Sequence, residues 1–247
     1  MRMRDYSETI PKPMVEIGYR PIIWHVMKYY AFYGHKEFIL CLGHKADVVK
    51  NYFLHYDECV SNDFVMTKGG VNVQLLKSDI EDWKITFVDT GLSANIGQRL
   101  RAVEKYVKDD EVFFANYADG LTDVYLPDYV NQFMERDAVA SFLSVKPTQS
   151  FHVVKFKGDD VAGIQHLGES DIWINGGYFI LRKTIFSYIR NGEELVAEPF
   201  GRLIEKKKLM TVRHKGFWVA MDTFKDKQFL DELVSKDEAP WEVWKRK

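Results

Sequence analysis

The sequence predicts an α/β protein with a doubly wound, Rossmann-like mixed sheet and a small β-rich extension in its second half. Three observations carry this prediction. Phe38-Ile39-Leu40-Cys41-Leu42 is an unbroken apolar run, the pattern of a strand buried on both faces of a parallel sheet. Apolar residues at helical spacing flank it, with Ile22, Ile23, Val26, Met27 and Tyr30 before and Ala46, Val49, Tyr52 and Phe53 after. Beyond Ser150 the texture changes to strand-like runs with little helix between them, as in a sheet extension or lid.

Pro21 sits at the first turn of the first helix, and Gly34 ends it. From His55 to Gly70 no period is visible and acidic residues mix with aromatics, so this segment reads as an insertion or flap. Strands are expected at 71–76 and 85–88, a helix at 97–106 and a strand at 111–115. Pro127 opens a helix, and 138–145 is the next strand. In the extension, strands are expected at 151–156, 161–165 and 173–181. Helices follow at 184–189 and 199–207, a returning strand at 209–214, and helix from Asp222 to Ala239. No internal repeat is present, and the expected organisation is one domain over residues 1–247.

The 247 residues are 46% hydrophobic and 28% charged, an ordinary globular balance. A net charge of −2, with both signs interspersed, does not give the basic footprint of a nucleic-acid binder. Lys206-Lys207-Lys208 reads as a solvated helix end. There is no apolar stretch of membrane-spanning length and no charged-then-apolar leader, so a cytoplasmic location without membrane partners is expected. Cys41 and Cys59 have neither metal nor redox spacing, and Cys41 reads as a reduced core residue.

Lys12 is pinned between two prolines in Ile10-Pro11-Lys12-Pro13-Met14-Val15. Pro13 is expected to hold Lys12 extended, which recovers part of the entropy cost of aiming a flexible cation at a phosphate. Asn116-Tyr117-Ala118-Asp119-Gly120 follows the apolar run Val112-Phe113-Phe114, placing Asp119 at a strand's carboxyl end. Ligands of open α/β sheets sit there, and a carboxylate suits a hard cation; an Asp-Gly turn is the plain alternative. Asp222 ends the strand-like Gly216-Phe217-Trp218-Val219-Ala220-Met221, and its plain reading is a helix N-cap. A fixed lysine with two such aspartates supplies what a Mg²⁺-dependent phosphoryl or nucleotidyl transfer requires. Asp89-Thr90-Gly91 makes a tight turn before the helix at Gly97 and offers N–H groups to a base or ribose. Gly176 and Gly177 lie inside a strand and mark a bulge or a close approach to a ligand, with Asn175 placed to bind sugar hydroxyls. Glu198-Pro199 puts one more carboxylate at a helix start.

Together these blocks closely resemble the sugar-phosphate nucleotidyltransferases. Pro11-Lys12-Pro13-Met14-Val15-Glu16-Ile17-Gly18, Pro21-Ile22-Ile23-Trp24-His25, Trp83-Lys84-Ile85-Thr86-Phe87-Val88-Asp89-Thr90-Gly91, Ile174-Asn175-Gly176-Gly177, and Phe217-Trp218 with Met221-Asp222-Thr223 keep the family order, as does Ala239-Pro240-Trp241. The Trp83–Gly91 block points to the cytidylyl branch. The resemblance implies attack by a sugar 1-phosphate oxygen on the α-phosphorus of a nucleoside triphosphate, CTP in this branch, with glucose 1-phosphate as the sugar. It implies that Arg2 and Lys12 contact the triphosphate, that Asp89, Thr90 and Gly91 lie near the nucleotide, and that Asp119 and Asp222 hold Mg²⁺. Asn175, Gly176 and Glu198 would line the sugar side. A homo-oligomer is also expected.

Three departures from the family pattern stand out. Arg2 matches the arginine that ends the family's glycine-rich phosphate loop, so that loop and the first strand are expected to be missing from this chain. Gln165-His166-Leu167 replaces Glu-Lys-Pro, leaving His166 as a pH-dependent stand-in for a phosphate-binding lysine. Ala118 replaces a glycine. A second reading is a truncated homologue serving as a non-catalytic sugar-nucleotide-binding or assembly subunit. An oxidoreductase is disfavoured, because no Gly-x-Gly-x-x-Gly follows a strand.

Overall fold

A computed structural model describes residues 10–245, so Arg2 lies outside the described residues. The chain is a mixed α/β fold. It opens with a 3-10 turn at Lys12–Met14, a short antiparallel pair β1 (Glu16–Ile17) and β2 (Arg20–Pro21), and helix α1 (Ile22–Phe32). Strand β3 (Glu37–Leu42), helix α2 (Ala46–Leu54), strands β4 (Phe64–Thr67) and β5 (Asn72–Leu75), strand β6 (Lys84–Asp89) and helix α3 (Ile96–Val103) follow. Next come β7 (Val112–Asn116), β8 (Gly120–Thr122), α4 (Leu126–Met134), β9 (Ala140–Val145), β10 (His152–Lys157), β11 (Asp160–His166) and β12 (Ile174–Arg182). The chain ends through α5 (Glu198–Glu205), β13 (Leu209–Arg213), β14 (Trp218–Ala220) and α6 (Phe224–Ser235).

The main sheet has the order β13-β9-β12-β7, with β13 parallel to β9 and the other two pairs antiparallel. β3 pairs in parallel with β6 as a separate ladder. The sequence correctly located β3 but overstated its burial, since only Leu42 in it is fully buried. β3 is paired on one edge by β6 and β7 on one edge by β12, and among the described residues neither has a strand on its other edge. Ile39 and Phe113 nevertheless pack against the same apolar cluster.

Two further expectations change. β12 is not part of an extension: Tyr178-Phe179-Ile180-Leu181 is fully buried between β9 and β7, because an apolar run this continuous needs cover on both faces. The β-rich extension reduces to the β10–β11 hairpin. The flap likewise contains a strand, β4, hidden in the sequence because its alternation is too short to register against the surrounding acidic residues.

The flap is tied down by charge rather than by apolar packing. Arg20 is 2% exposed. It donates to Asp57 O (2.8 Å), Tyr52 Oη (3.2 Å) and Ser61 Oγ, and stacks 4.1 Å from the Tyr56 ring. Asp79 accepts from Ser61, from Tyr56 (3.1 Å) and from Lys28 on α1 (3.0 Å). Burial pushes the Asp79 carboxyl up, but these hydrogen bonds and the Lys28 charge outweigh it and hold the group below its ordinary value. No helix among the described residues is long and apolar enough to cross a membrane.

The C-terminal Trp241 closes back on α1. Its indole N–H donates to His25 Nδ1 (3.2 Å), and His25 Nε2 bonds to Ile17 O (3.0 Å), which fixes the neutral Nε2–H tautomer. Burial pushes this imidazole down to about 4. The unfolded chain therefore binds a proton that the folded one refuses. Stability is complete above the ordinary histidine value near 6.5 and is lost as pH falls toward 4, by on the order of 3 kcal/mol. Urea titrations between pH 7 and 4.5 should show this loss in the wild type. His25→Gln, which keeps one donor and one acceptor, should flatten that part of the profile; an unchanged slope would rule His25 out as its source.

Candidate active site

Three distant segments meet at one ammonium group. Lys12 Nζ donates to Asp222 Oδ1 at 2.6 Å and to Asp119 Oδ2. Burial alone would lower the lysine, but the charges and hydrogen bonds of the two aspartates hold it above its ordinary value, so it stays a cation. The Lys12 side chain is 29% exposed, Asp119 27% and Asp222 54%, which leaves the cluster open to an incoming ligand.

Local sequence explains each position. Pro11 enters the 3-10 turn with φ −64° and ψ 143°, and Met14 N donates to Pro11 O (2.8 Å). Lys12 is therefore the first residue of a turn and not extended as predicted. Proline at the second position is tolerated because N–H groups at a helix start have no partner to lose. The two aspartates are aligned by a β-ladder. β8 and β14 pair antiparallel, with Ala220 opposite Gly120, and Met221 N continues the ladder onto Asp119 O (2.9 Å). Asp222 is not the N-cap of α6. Thr223 takes that position in a capping box with Asp226, which frees the Asp222 carboxylate for Lys12.

A cavity of ≈ 320 Å³ opens beside the cluster, lined by Lys12, Pro13, Ile96, Tyr117, Ala118 and Asp119. It lies at the low end of the range for small-molecule sites. Tyr117 is a lining residue that the sequence reading quoted without giving it a role. Burial, then the charge of Glu194, pushes its hydroxyl up, so it serves as a neutral hydrogen-bonding group. Asn175 Nδ2 reaches Tyr117 Oη at 3.4 Å, and Asn175 Oδ1 accepts from Gly177 N (2.9 Å). The predicted bulge is present, since the β12–β9 register shifts between Asn175 and Phe179. Gly176 gives its carbonyl to Trp218 Nε1 (2.9 Å), and Gly177 adopts φ +75° with the Tyr117 ring against its Cα.

The Asp89-Thr90-Gly91 turn ends β6, with Asp89 accepting from Gly91 N (3.0 Å). Thr90 Oγ1 donates to Leu42 O (2.8 Å) and accepts from Arg99 (2.6 Å), so its hydroxyl welds β6 to β3 and α3. Arg99 is a second residue missed as a candidate; its only sequence signal is an arginine in a predicted helix, shared with Arg101 two residues on. His166 and Glu198 are occupied locally. His166 Nδ1 accepts from Gly168 N (3.1 Å), and Glu198 accepts from Glu194 N (3.2 Å). Among the described residues no group of three or more His, Cys, Asp or Glu side chains forms a metal cage.

The fold has a close counterpart among solved structures. Apo UDP-glucose pyrophosphorylase superposes with a TM-score of 0.68 at 15% identity, covering 95% of this chain and 93% of that one. No protein-family model matches the chain. Two curated relatives do: glucose-1-phosphate cytidylyltransferase of Salmonella typhimurium, strain LT2, and that of Salmonella typhi. Each is 38% identical over 246 residues, spanning 98% of this chain and 95% of the relative. The chain belongs to the glucose-1-phosphate cytidylyltransferase family.

Gly177 gives the site a direct test. A Cβ there would come within 2.8 Å of Tyr117 Cγ in a left-handed backbone, whereas Gly158, at φ +64°, has open space around it. Gly158→Ala should cost only the backbone term, about 1 kcal/mol. Gly177→Ala should cost roughly 2 kcal/mol more and displace Tyr117 from the cavity wall. Equal urea midpoints for the two variants would contradict this packing.

Proposed function

We propose that this chain transfers CMP from CTP to glucose 1-phosphate and releases pyrophosphate. The observation that carries the reading is the Lys12 ammonium between Asp119 and Asp222, beside a cavity and at strand ends, in a chain of this family.

The chemistry asks for charge control and positioning. An oxygen of the sugar 1-phosphate, already ionised near neutral pH, attacks the α-phosphorus of CTP. The bond from that phosphorus to the bridging oxygen breaks, and pyrophosphate leaves with the electron pair. The attacking oxygen needs no general base and no protein nucleophile. Lys12 supplies a cation for the triphosphate, and the Asp89–Gly91 turn and Tyr117 border the nucleotide. Asn175, Gly176 and Glu198 are assigned to the sugar side of the substrate and His166 to its phosphate. Asp119 and Asp222 are the residues that would hold Mg²⁺. Two carboxylates, with no group of three or more His, Cys, Asp or Glu among the described residues, fit this ion, which is ordinarily bound through one or two carboxylates. Mg²⁺ held there would neutralise phosphate oxygens and make pyrophosphate a better leaving group.

Pyrophosphate release measured with CTP, UTP, dTTP, ATP and GTP, each with glucose 1-phosphate and Mg²⁺, tests the proposal. Release with CTP far above the other nucleotides is expected. A folded protein that binds CDP-glucose but turns over none of them would instead identify a non-catalytic binding subunit. Given turnover, Asp119→Asn should lower kcat by roughly 10²-fold or more without changing the unfolding midpoint greatly. Lys12→Ala should raise KM for CTP while leaving KM for glucose 1-phosphate nearly unchanged. Equal loss for both substrates would assign Lys12 to folding.

A further inference from the structure

Glu194 Oε1 is buried and has no hydrogen-bond partner. An orphaned carboxylate oxygen costs free energy, and one that a folded chain retains calls for an explanation. Its setting is closely built. The segment leading into α5 lies on the first turn of α3, where Asn95 Nδ2 donates to Gly192 O (3.0 Å) and Ile96 N donates to Glu194 Oε2 (3.3 Å). A Cβ on Gly97 would stand 2.3 Å from Glu193 O, so only glycine admits this approach. At its own backbone, Glu194 N donates to Glu198 (3.2 Å). One carboxylate oxygen is thus pinned to Ile96, a residue of the cavity wall, and the other is left over.

The matching donor is on the same wall. The Tyr117 hydroxyl accepts one long hydrogen bond, from Asn175 Nδ2 (3.4 Å), and among the described residues it donates to none. After burial, the Glu194 charge is the chief influence raising that hydroxyl, so Tyr117 lies in the field of the orphaned carboxylate. A donor without an acceptor therefore stands near an acceptor without a donor. A hydroxyl has one proton and two lone pairs, and committing the proton to a carboxylate leaves it an acceptor only. Such a charge-assisted bond is the stronger kind. The 3.4 Å contact with Asn175 is near the limit of a hydrogen bond and is readily given up.

We propose, on the reading of this cavity as the substrate site, that Glu194 is a positioning residue that sets the hydrogen-bonding role of Tyr117. Substrate engages Asn175, the Tyr117 hydroxyl donates to Glu194 Oε1, and the lone pairs left on Tyr117 accept a hydroxyl of the substrate. The group selected is a donor, and an ionised phosphate oxygen, which can only accept, is turned away. Tyr117 borders the nucleotide and its partner Asn175 the sugar side, so the hydroxyl belongs either to the ribose of CTP or to the hexose ring.

The test compares kcat/KM for CTP and glucose 1-phosphate with values for dCTP in place of CTP and for monodeoxy analogues in place of glucose 1-phosphate. The wild type should lose roughly tenfold on one of these substitutes. Loss on dCTP identifies the ribose, and loss on a deoxyhexose the sugar ring. Tyr117→Phe and Glu194→Gln should each lower kcat/KM for CTP and glucose 1-phosphate about tenfold, mostly through KM, and bring the disfavoured substitute level with them. Glutamine still accepts from Ile96 N but offers Tyr117 an amide donor in place of an acceptor. The double variant should be no worse than either single one. If Glu194→Gln fails to unfold cooperatively, Glu194→Asp, one methylene short, should show the same levelling. In a chain that binds CDP-glucose without turnover, calorimetric dissociation constants for the same ligands replace kcat/KM. A wild type indifferent to every substitute, a penalty that persists in the variants, or losses that multiply in the double variant would overturn this inference alone. A wild type that neither binds nor turns over these ligands would overturn the reading of the cavity, and the inference with it.

Discussion

The site depends on one cation holding two anions. Lys12 is 107 residues from Asp119 and 210 from Asp222, yet both carboxylates converge on its Nζ. Two carboxylates placed close together repel by roughly 1 kcal/mol in water and about 4 at an effective dielectric of 20, taking 4 Å as a reference separation. The intervening ammonium turns that repulsion into attraction. Because the three groups are partly exposed, the net stabilisation is modest, and the arrangement is better understood as positioning than as a source of stability.

What positions the three groups is backbone hydrogen bonding. The β8–β14 ladder sets Asp119 opposite the approach to Asp222, and the Pro11–Met14 turn sets Lys12 above them. Beneath this lies an apolar and aromatic floor. Trp218 spans from the ladder to the Gly176 carbonyl, Tyr178 donates to Gly120 O, and Met221 and Leu121 are fully buried. The strand ends that carry Asp119 and Asp222 are therefore locked from below, while Lys12 and Asp119 line the cavity. That division sets half-exposed polar groups on a rigid ladder.

Much of this was legible in the residues themselves. Apolar periodicity located α1 and α2, and proline and glycine marked the boundaries of α1 (Pro21, Gly34) and the start of α4 (Pro127). The two glycines after Asn175 pointed to a bulge or a close approach to a ligand, and the ladder does break there. Other features were hidden for physical reasons. Lys12 sits in a 3-10 turn because the Met14–Pro11 hydrogen bond outweighs the extended preference before a proline. The freedom of Asp222 depends on Thr223 and Asp226 completing a capping box, a competition between neighbours that a single residue does not announce. The half-exposure of β3 depends on which strands lie beside it, and a strand's own letters do not encode that. Arg99 and Tyr117 gain their roles only from tertiary neighbours.

The claim that Lys12 and the two aspartates form one electrostatic unit is tested most directly by a double-mutant cycle. Urea unfolding of the wild type, Lys12→Met, Asp222→Asn and the double variant at low ionic strength gives the coupling energy. The account predicts that the double variant loses less than the sum of the single losses, by about 0.5–1 kcal/mol, and that the coupling shrinks as salt is added. Additive losses at every salt concentration would contradict it, and would mean that the ladder alone holds Asp119 and Asp222 in place.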